Sequence, residues 1–269
     1  MTDTLVLCYH AVSPDWQADL SVTPADLEVQ LRTLVERDYR ATTFYQAVMD
    51  SPQPRTLAVT FDDAYRSVIE LAFPLLSQLG IPATVFVPTS FAGASEAMSW
   101  PGIDHWLGGP HEDELRCMSW EELGQLDEAG WEIGSHTHTH QYLPAIEDEA
   151  LSMELEESHQ ICSERLGKRC RSLAYPFGAA DDRVIEAARR AGYAAAGTLP
   201  ARMHKPSPLS WPRIGVYHTD TELSFHAKVS PIMRRVRASP AWIGIEAARR
   251  RLRRVTGRKA GTRATAVPP

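Results

Sequence analysis

The chain alternates short apolar runs with amphipathic segments, and this alternation limits the folds open to it more than any other feature. The apolar runs are typical of β-strands: "LVLCYH", "TLAVTF", "ATVFVP", "WEIGSH", "SLAYPFG", "YAAAGTL" and "WPRIGVY". Helical patterns lie between most of them. Repeated βα units favour a parallel sheet, and a chain of 269 residues with this many units favours a barrel over a small open sheet.

Local signals place the helices between these strands. Thr23 and Pro24 are typical of an N-cap and a first helical position, and Ser119 with Glu122 forms a capping-box pattern. The sequence therefore predicts helices after these two caps, over 66–79 closing on Gly80, over 148–166 and over 182–191.

Two groups of polar residues follow predicted strands. Asp62 and Asp63 end "VTFDD"; such a pair is common in turns, but its mutual repulsion favours a nearby cation or base. In "GSHTHTH", His136 and His140 are four residues apart, so one helical turn would bring both imidazoles to one face. Each histidine alone is more often a surface residue. Two histidines and a carboxylate together match the open three-ligand set of catalytic zinc.

These motifs resemble those of polysaccharide deacetylases, the NodB-homology domain of carbohydrate esterase family four. "TFDDAY" is similar to the family's first motif, with Ala64 in place of its glycine. "HTHTH" is similar to the second motif and "YPFG" to the third. The resemblance extends from about Leu5 to Val216. It implies a distorted (β/α)7 barrel with one divalent metal ion, expected to be zinc.

The resemblance also implies roles for individual residues. Asp63, His136 and His140 would hold the metal, with His138 as a neighbour, and Asp62 would be the general base toward the water on the metal. In the third motif, which also includes Pro176, the backbone N–H of Phe177 would donate to the oxyanion. Gly178 would let the backbone approach the substrate closely.

The chain departs from the family pattern at the general acid. No clear late Leu-x-His motif follows residue 211, and His218 in "VYH" is the nearest match. A subset of the family begins with Tyr-His and resembles a circular permutation, which "LCYHAV" fits. We therefore assign the acid to His10, with His218 as the alternative; a core histidine at a strand end is a third interpretation.

A second departure concerns the arginine that orients the base in the family. Its place is taken by Ala174, so Arg213 in "WPRIGV" is the candidate for this charge, whereas Arg171 lies three residues too early.

Tryptophans supply candidate contacts to a sugar ring. A loop over 92–118, inserted after one predicted strand, would lie at the carboxyl ends of the strands, where barrel enzymes keep their sites. We expect Trp100, Trp106 and Trp211 to form a sugar-stacking wall, although burial in the core is the common alternative for each.

Charge divides the chain into two parts, which we predict to be a catalytic barrel over 1–222 and a basic helical tail over 223–269, partly disordered at its end. Of 28 Lys and Arg residues, 12 lie from Lys228 onward, against one of the 34 acids. The pattern over 242–255 predicts a helix with basic flanks, suited to an anionic membrane surface or to the protein's own acidic body. No nucleic acid partner is expected.

The expected function is hydrolysis of N-acetyl groups from amino sugars in a polysaccharide, an oligosaccharide or a lipid-linked glycan. The alternatives are an amidase acting on another non-peptide C–N bond and a non-catalytic glycan-binding barrel. The N terminus lacks a signal-peptide pattern and the four cysteines form no CxxC pair, so we expect reduced thiols and a cytoplasmic protein. The tail would bring it to the inner face of the membrane.

Overall fold

The computed structural model describes residues 3–51, 53–239 and 242. The strands within these ranges are β1 (Thr4–Tyr9), β2 (Ala11–Val12), β3 (Ser21–Val22), β4 (Arg40–Thr42), β5 (Thr56–Phe61), β6 (Ala83–Val87), β7 (Glu132–Ser135), β8 (Ser172–Ala174), β9 (Ala195–Thr198), β10 (Trp211–Pro212) and β11 (Ile214–Gly215). The α-helices are α1 (Pro24–Glu36), α2 (Phe44–Met49), α3 (Phe73–Gln78), α4 (Trp120–Glu128), α5 (Asp148–Leu166), α6 (Asp182–Ala191), α7 (Glu222–Val229) and α8 (Pro231–Ala238).

The main sheet is parallel and closes on itself almost completely. Its order is β10-β9-β8-β7-β6-β5-β1-β11, and β4 pairs with the first half of β5. Only Arg213 separates β10 from β11, so the stretch 211–215 pairs first with β9 and then with β1. Counted as one strand, this stretch completes a ring of seven strands. The predicted distorted (β/α)7 barrel is therefore confirmed.

Two apolar clusters lie on the two faces of the sheet. The outer cluster packs strand residues such as Leu7 against helix residues such as Leu27 and Leu31 of α1. The inner cluster contains Val6, Phe44, Val48, Ala58, Phe86, Ala174 and Ala195. Because β1 and β8 are not neighbours in the sheet, Val6 and Ala174 belong to one cluster only across the interior of the ring. Helix α2 supplies the remaining members of this inner cluster, Phe44 and Val48.

The helix caps follow the sequence prediction. The side chain of Thr23 accepts a hydrogen bond from the N–H of Asp26 at the start of α1. Ser119 and Glu122 form the reciprocal capping box of α4. These bonds satisfy N–H groups that the first helical turn leaves without partners.

The helix predicted over 66–79 is instead a π-helical turn, Val68–Ala72, followed by α3. Pro74 lies in the first turn of α3 and has no N–H to donate to the preceding turn. The N–H of Phe73 bonds to the carbonyl of Val68, five residues back, which widens the turn.

The predicted boundary between the barrel and the tail also needs correction. It falls between residues 222 and 223, inside α7, whose Phe225 and Val229 are fully or almost fully buried in the outer cluster. Helix α7 is therefore part of the barrel's core. The predicted tail helix over 242–255 lies outside the described residues, apart from Trp242.

Two smaller findings complete the description. All four cysteines are buried free thiols, as predicted. Within the part of the chain that the structure describes, no helix combines the length and the apolar character needed to cross a membrane.

Candidate active site

Polar side chains follow the carboxyl ends of several barrel strands and meet in one buried group. His10 follows β1, Asp62 and Asp63 follow β5, and His136 follows β7. Arg213 joins them from the stretch that closes the ring. Each of these side chains is at most 6% exposed. Parallel strands bring these residues together because their carboxyl ends share one edge.

Asp63, His136 and His140 converge on a single point. Oδ1 of Asp63 lies 3.2 Å from Nε2 of His136 and 3.3 Å from Nε2 of His140. Nδ1 of His136 lies 2.8 Å from the carbonyl oxygen of Ala174, which can only accept, so Nδ1 carries the proton. When His136 is neutral, its other nitrogen, Nε2, therefore faces the carboxylate with a lone pair.

This arrangement fits a divalent cation. Oδ1 of Asp63 is buried without a hydrogen-bond partner among the described residues. Lone pairs facing each other in a buried cluster are unfavourable unless a positive charge lies between them. One carboxylate oxygen and two imidazole nitrogens are also a common donor set for zinc in enzymes. The three residues predicted as ligands can therefore hold a metal together.

The segment that carries the two histidines differs from the prediction. It is not a helical turn: residues 136–142 are irregular, and Thr137 and His140 have φ angles of 66° and 62°. Two left-handed residues within four positions bend the chain sharply enough to bring both rings to Asp63. This backbone conformation costs a residue other than glycine about 1–3 kcal/mol, so contacts with the surrounding residues must stabilise it.

Asp62 faces a different partner. Arg213 makes a two-pronged ion pair with it, from one terminal nitrogen to Oδ1 at 2.6 Å and from the other to Oδ2 at 2.8 Å. The guanidinium also donates to Thr60 Oγ1 at 3.1 Å. Arg213 therefore supplies the positive charge beside Asp62 that Ala174 cannot provide. Arg171 instead lies over the ring of Tyr45, 5.3 Å from its centroid.

These charges keep both carboxyl groups ionised. Burial opposes ionisation of Asp62, but Arg213 and then His136 outweigh it and lower the pKa of Asp62 to about 2. Burial opposes ionisation of Asp63 as well, but His136 and His140 in their protonated forms outweigh it and lower the pKa of Asp63 well below the usual range. Asp62 can therefore accept a proton while Asp63 remains available as a ligand.

The structure places His10, and not His218, in the pocket that contains these groups. Nδ1 of His10 is buried and has no hydrogen-bond partner among the described residues. Burial lowers the pKa of His10, against the opposing effect of Asp63 and Asp62. His218 is half-buried elsewhere, and its backbone N–H donates to the carbonyl of Asp19.

The third motif forms a tight turn after β8. Pro176 is buried and begins it, and Phe177 has left-handed angles, φ 58° and ψ 8°. The ring centroid of Phe177 lies 4.9 Å from that of His140. Gly178 also has a positive φ, and a Cβ added there would lie 2.2 Å from Cβ of Leu199. The missing Cβ of Gly178 thus makes room for Leu199, and both residues line the pocket.

Only one of the three tryptophans predicted to contact sugar lies at the pocket. Trp100, from the 92–118 loop, stacks on His140 with ring centroids 4.0 Å apart. Trp106 packs against Trp16, 5.6 Å between centroids, and Trp211 packs against the inner cluster. Trp106 and Trp211 therefore lie apart from the residues that line this pocket, and both rings are partly buried against the core.

The remaining pocket is narrow. Its apolar walls, which surround the charged groups, are formed by Leu20, Trp100, Phe177 and Leu199. The free volume is about 20 Å³, close to the space that one water molecule needs.

One contact in the site was missed by sequence reasoning. The thiol of Cys8 lies 3.3 Å from Oδ2 of Asp62 and is fully buried. Cys8 and His10 alternate at the end of one strand, so both point to the same face. This period of two, applied to "LCYH", is the signal that could have identified Cys8.

Comparison with known proteins gives a consistent result. A family profile for polysaccharide deacetylases matches residues 49–196, more than half of the chain. The poly-β-1,6-N-acetyl-D-glucosamine N-deacetylase of Staphylococcus epidermidis is 25% identical over 200 residues, which cover 69% of this chain and 64% of the relative. In this relative and two other curated ones, the matched region covers 59–64% of the relative's length.

Two solved structures are similar in fold. A polysaccharide deacetylase from Bacillus cereus has a TM-score of 0.65 at 25% identity, covering 84% of this chain and 69% of that one. The Streptococcus pyogenes deacetylase PplD, solved in complex with acetate, has a TM-score of 0.70 at 20% identity, covering 86% of this chain and 99% of that one. The second likeness concerns the fold alone.

Proposed function

The chain belongs to the polysaccharide deacetylase family, and from this premise we propose that it is a metal-dependent hydrolase that removes N-acetyl groups from amino sugars. The observation that carries the proposal is the buried group of Asp63, His136 and His140 beside an Asp62 paired with Arg213. Such a group costs folding free energy unless it has a ligand or a reaction to serve.

Asp63, His136 and His140 would hold the cation, and their donor set suits zinc among the divalent metals. When bound, such a cation would polarise the amide carbonyl and make a water molecule acidic enough to lose a proton near neutral pH, which turns it into a nucleophile. His136 contributes through Nε2 because the carbonyl of Ala174 occupies its other nitrogen.

Asp62 would be the general base. Its Oδ2 lies 3.9 Å from Nε2 of His136, on the side of the metal ligands, where it can accept a proton from the attacking water. Arg213 fixes the plane of the carboxylate through two hydrogen bonds. The ion pair keeps the base charged and limits its rotation before the substrate arrives.

His10 would deliver a proton to the leaving nitrogen. It lines the pocket, and its lowered pKa makes its protonated form a stronger donor, while Asp62 and Asp63 favour that form. The backbone N–H of Phe177 would donate to the oxygen that becomes negative during attack. The assignment of Tyr9 and His10 to a permuted family motif forms part of this proposal.

Substrate choice is also a proposal. The Staphylococcus epidermidis relative is named for poly-β-1,6-N-acetyl-D-glucosamine, so this polymer is the first substrate to test. N-acetylglucosamine oligomers, lipid-linked N-acetylated sugars and nucleotide sugars complete the panel.

The test measures acetate released from each substrate by zinc-loaded protein. We expect release from at least one N-acetylated glycan, at a rate that falls about 100-fold or more after Asp62→Asn substitution. A cyclic amide hydrolysed in preference to every acetamide would instead indicate an amidase for another C–N bond. Glycan binding without any hydrolysis would favour a glycan-binding barrel.

A further inference from the structure

The five residues from His136 to His140 adopt a conformation that their own sequence does not favour. Thr137 is β-branched, yet its φ is 66°, and His140 has a φ of 62°. A β-branched residue in the left-handed region is a genuine outlier that needs outside support. The residues that provide this support therefore help to set the distance between the two imidazoles.

One side of this segment is held by residues at and after the neighbouring strand ends. The N–H of Thr89 donates to the carbonyl of Thr137 at 3.1 Å, and the N–H of Ser90 donates to that of His138 at 3.0 Å. The hydroxyl of Ser135 accepts the N–H of Thr137 at 3.0 Å. These bonds engage the first half of the segment.

The other side is held by Glu154, which projects from α5. Its Oε2 accepts the backbone N–H groups of His138 at 3.0 Å and of Thr139 at 2.9 Å. Its Oε1 accepts the hydroxyl of Thr139. All three bonds go to His138 and Thr139, the two residues between Thr137 and the ligand His140.

The surroundings of Glu154 indicate that its main role is to anchor the backbone of His138 and Thr139. The residue is only 7% exposed, and within the part of the chain that the structure describes its carboxylate contacts are hydrogen bonds from His138 and Thr139. Burying a carboxylate away from a cation costs several kcal/mol unless N–H and O–H donors replace water. The donors that do so here are those of the histidine segment.

We propose that Glu154 is a positioning residue for the metal site: it fixes the segment from α5 and so sets the approach of His140 to the point shared with Asp63 and His136. The inference rests on the proposed metal-dependent function. Glu154 acts through the backbone of His138 and Thr139. Outer contacts of this kind typically change metal affinity by about 10–100-fold.

The test compares zinc affinity, measured by competition with a chromogenic chelator on metal-free protein, in the full chain. Glu154→Gln keeps the size of the side chain but replaces the charged acceptor of the two backbone N–H groups with a neutral amide oxygen, so the charge-assisted bonds of the anchor are weakened. We expect its dissociation constant for zinc to rise about 10–100-fold. Glu156→Gln, on the same helix but exposed, is the matched control and should leave the constant unchanged.

A second variant keeps the test decisive if Glu154→Gln does not fold. Thr139→Val removes only the hydroxyl bond to Glu154 and should weaken zinc binding by less, up to about tenfold. Thermal unfolding of the metal-free proteins separates positioning from general stability. A lower melting temperature with unchanged zinc affinity in both variants would overturn the inference.

The same measurements separate the inference from its premise. If the wild-type chain binds no zinc or other divalent ion, the proposed metal site fails. If the wild-type chain binds zinc tightly and Glu154→Gln binds it equally tightly, only the role of Glu154 fails.

Discussion

Asp62 and Asp63 are neighbours in the sequence, yet their side chains meet different partners. Arg213 holds Asp62 through both carboxylate oxygens, whereas His136 and His140 face a single oxygen of Asp63. Two identical groups placed in different surroundings can take different roles, here base and ligand.

Asp62→Asn should retain metal but lose turnover by about 100-fold or more, because an amide cannot accept the proton of the attacking water. His136→Ala, in contrast, should lose the metal. Elemental analysis and acetate release, measured on both variants, check this pair. Near-normal turnover in Asp62→Asn would remove it as the base, and full metal occupancy in His136→Ala would remove this ligand.

His10→Ala should bind metal normally but lower kcat far more than His218→Ala does, because only His10 lines the pocket. We expect a loss of about 100-fold or more for His10 and a change of less than about threefold for His218. Steady-state kinetics of the two variants measures the ranking. The opposite order would return the acid to His218 and contradict the permuted motif.

At the scale of elements, the stretch 211–215 both closes the barrel and carries a catalytic contact. Its alternation directs Trp211 into the inner cluster and Arg213 toward Asp62. The neighbouring strand β9 makes room for this arginine through Gly197, where an added Cβ would lie 2.5 Å from Nε of Arg213. Closure of the ring and orientation of the base therefore depend on the same two strands.

Gly197→Ala should displace Arg213, because three hydrogen bonds to Asp62 and Thr60 leave the guanidinium little freedom to move. Overpacking of this kind costs about 1–3 kcal/mol, and a small misplacement of the base can lower the rate up to about 100-fold. Urea unfolding and kinetics measure the two effects.

The control for this substitution is Gly124→Ala in α4, where an added Cβ meets no atom within 4 Å. It should stabilise the protein by about 0.5–1 kcal/mol without changing the rate, since alanine favours a helix over glycine. If Gly197→Ala behaved like this control, the tight fit around Arg213 would not matter for catalysis.

At the scale of the whole molecule, charge is unevenly distributed, because the residues from Lys228 onward carry 12 of the 28 Lys and Arg residues but one of the 34 acids. Helix α8 ends against the loop that follows β9: Arg237 donates to the carbonyl of Pro200 at 3.4 Å, and Arg202 donates to that of Ala238 at 3.4 Å. Leu199 of this loop lines the pocket. The end of α8 therefore lies beside the loop that contributes Leu199 to the pocket. Peripheral binding of the basic tail to an anionic membrane remains our proposal.

Full-length protein should sediment with vesicles containing anionic lipid at physiological salt, since each basic residue near such a surface contributes about 1 kcal/mol. Replacing Arg249, Arg250, Arg253 and Arg254 with glutamine should reduce this binding at least about tenfold, with α7 and α8 left intact. Neutral vesicles are the control. Equal binding by both proteins would leave these arginines without a membrane role, as expected if they bind the acidic barrel.

The sequence by itself determined the alternation of strands and helices, the caps of α1 and α4 and the bounds of α5 and α6. It also identified Asp62, Asp63, His136 and His140, which meet at the pocket after β5 and β7, whereas His10 after β1 was assigned only from the resemblance to a family. These features follow from local rules: strand and helix periods, capping chemistry and the sharing of one edge by parallel strand ends. Motifs that resemble a known family added the expected barrel.

Only the tertiary structure decided which distant residues meet. It selected Arg213 over Arg171 as the partner of Asp62, 151 residues away in the chain. It also drew Phe225 and Val229 of α7 into the core and placed Trp106 and Trp211 away from the pocket. It also replaced the expected helical turn after β7 with a left-handed segment held by Glu154. The reason is that these choices depend on packing between segments far apart in the chain, which local periodicity does not encode.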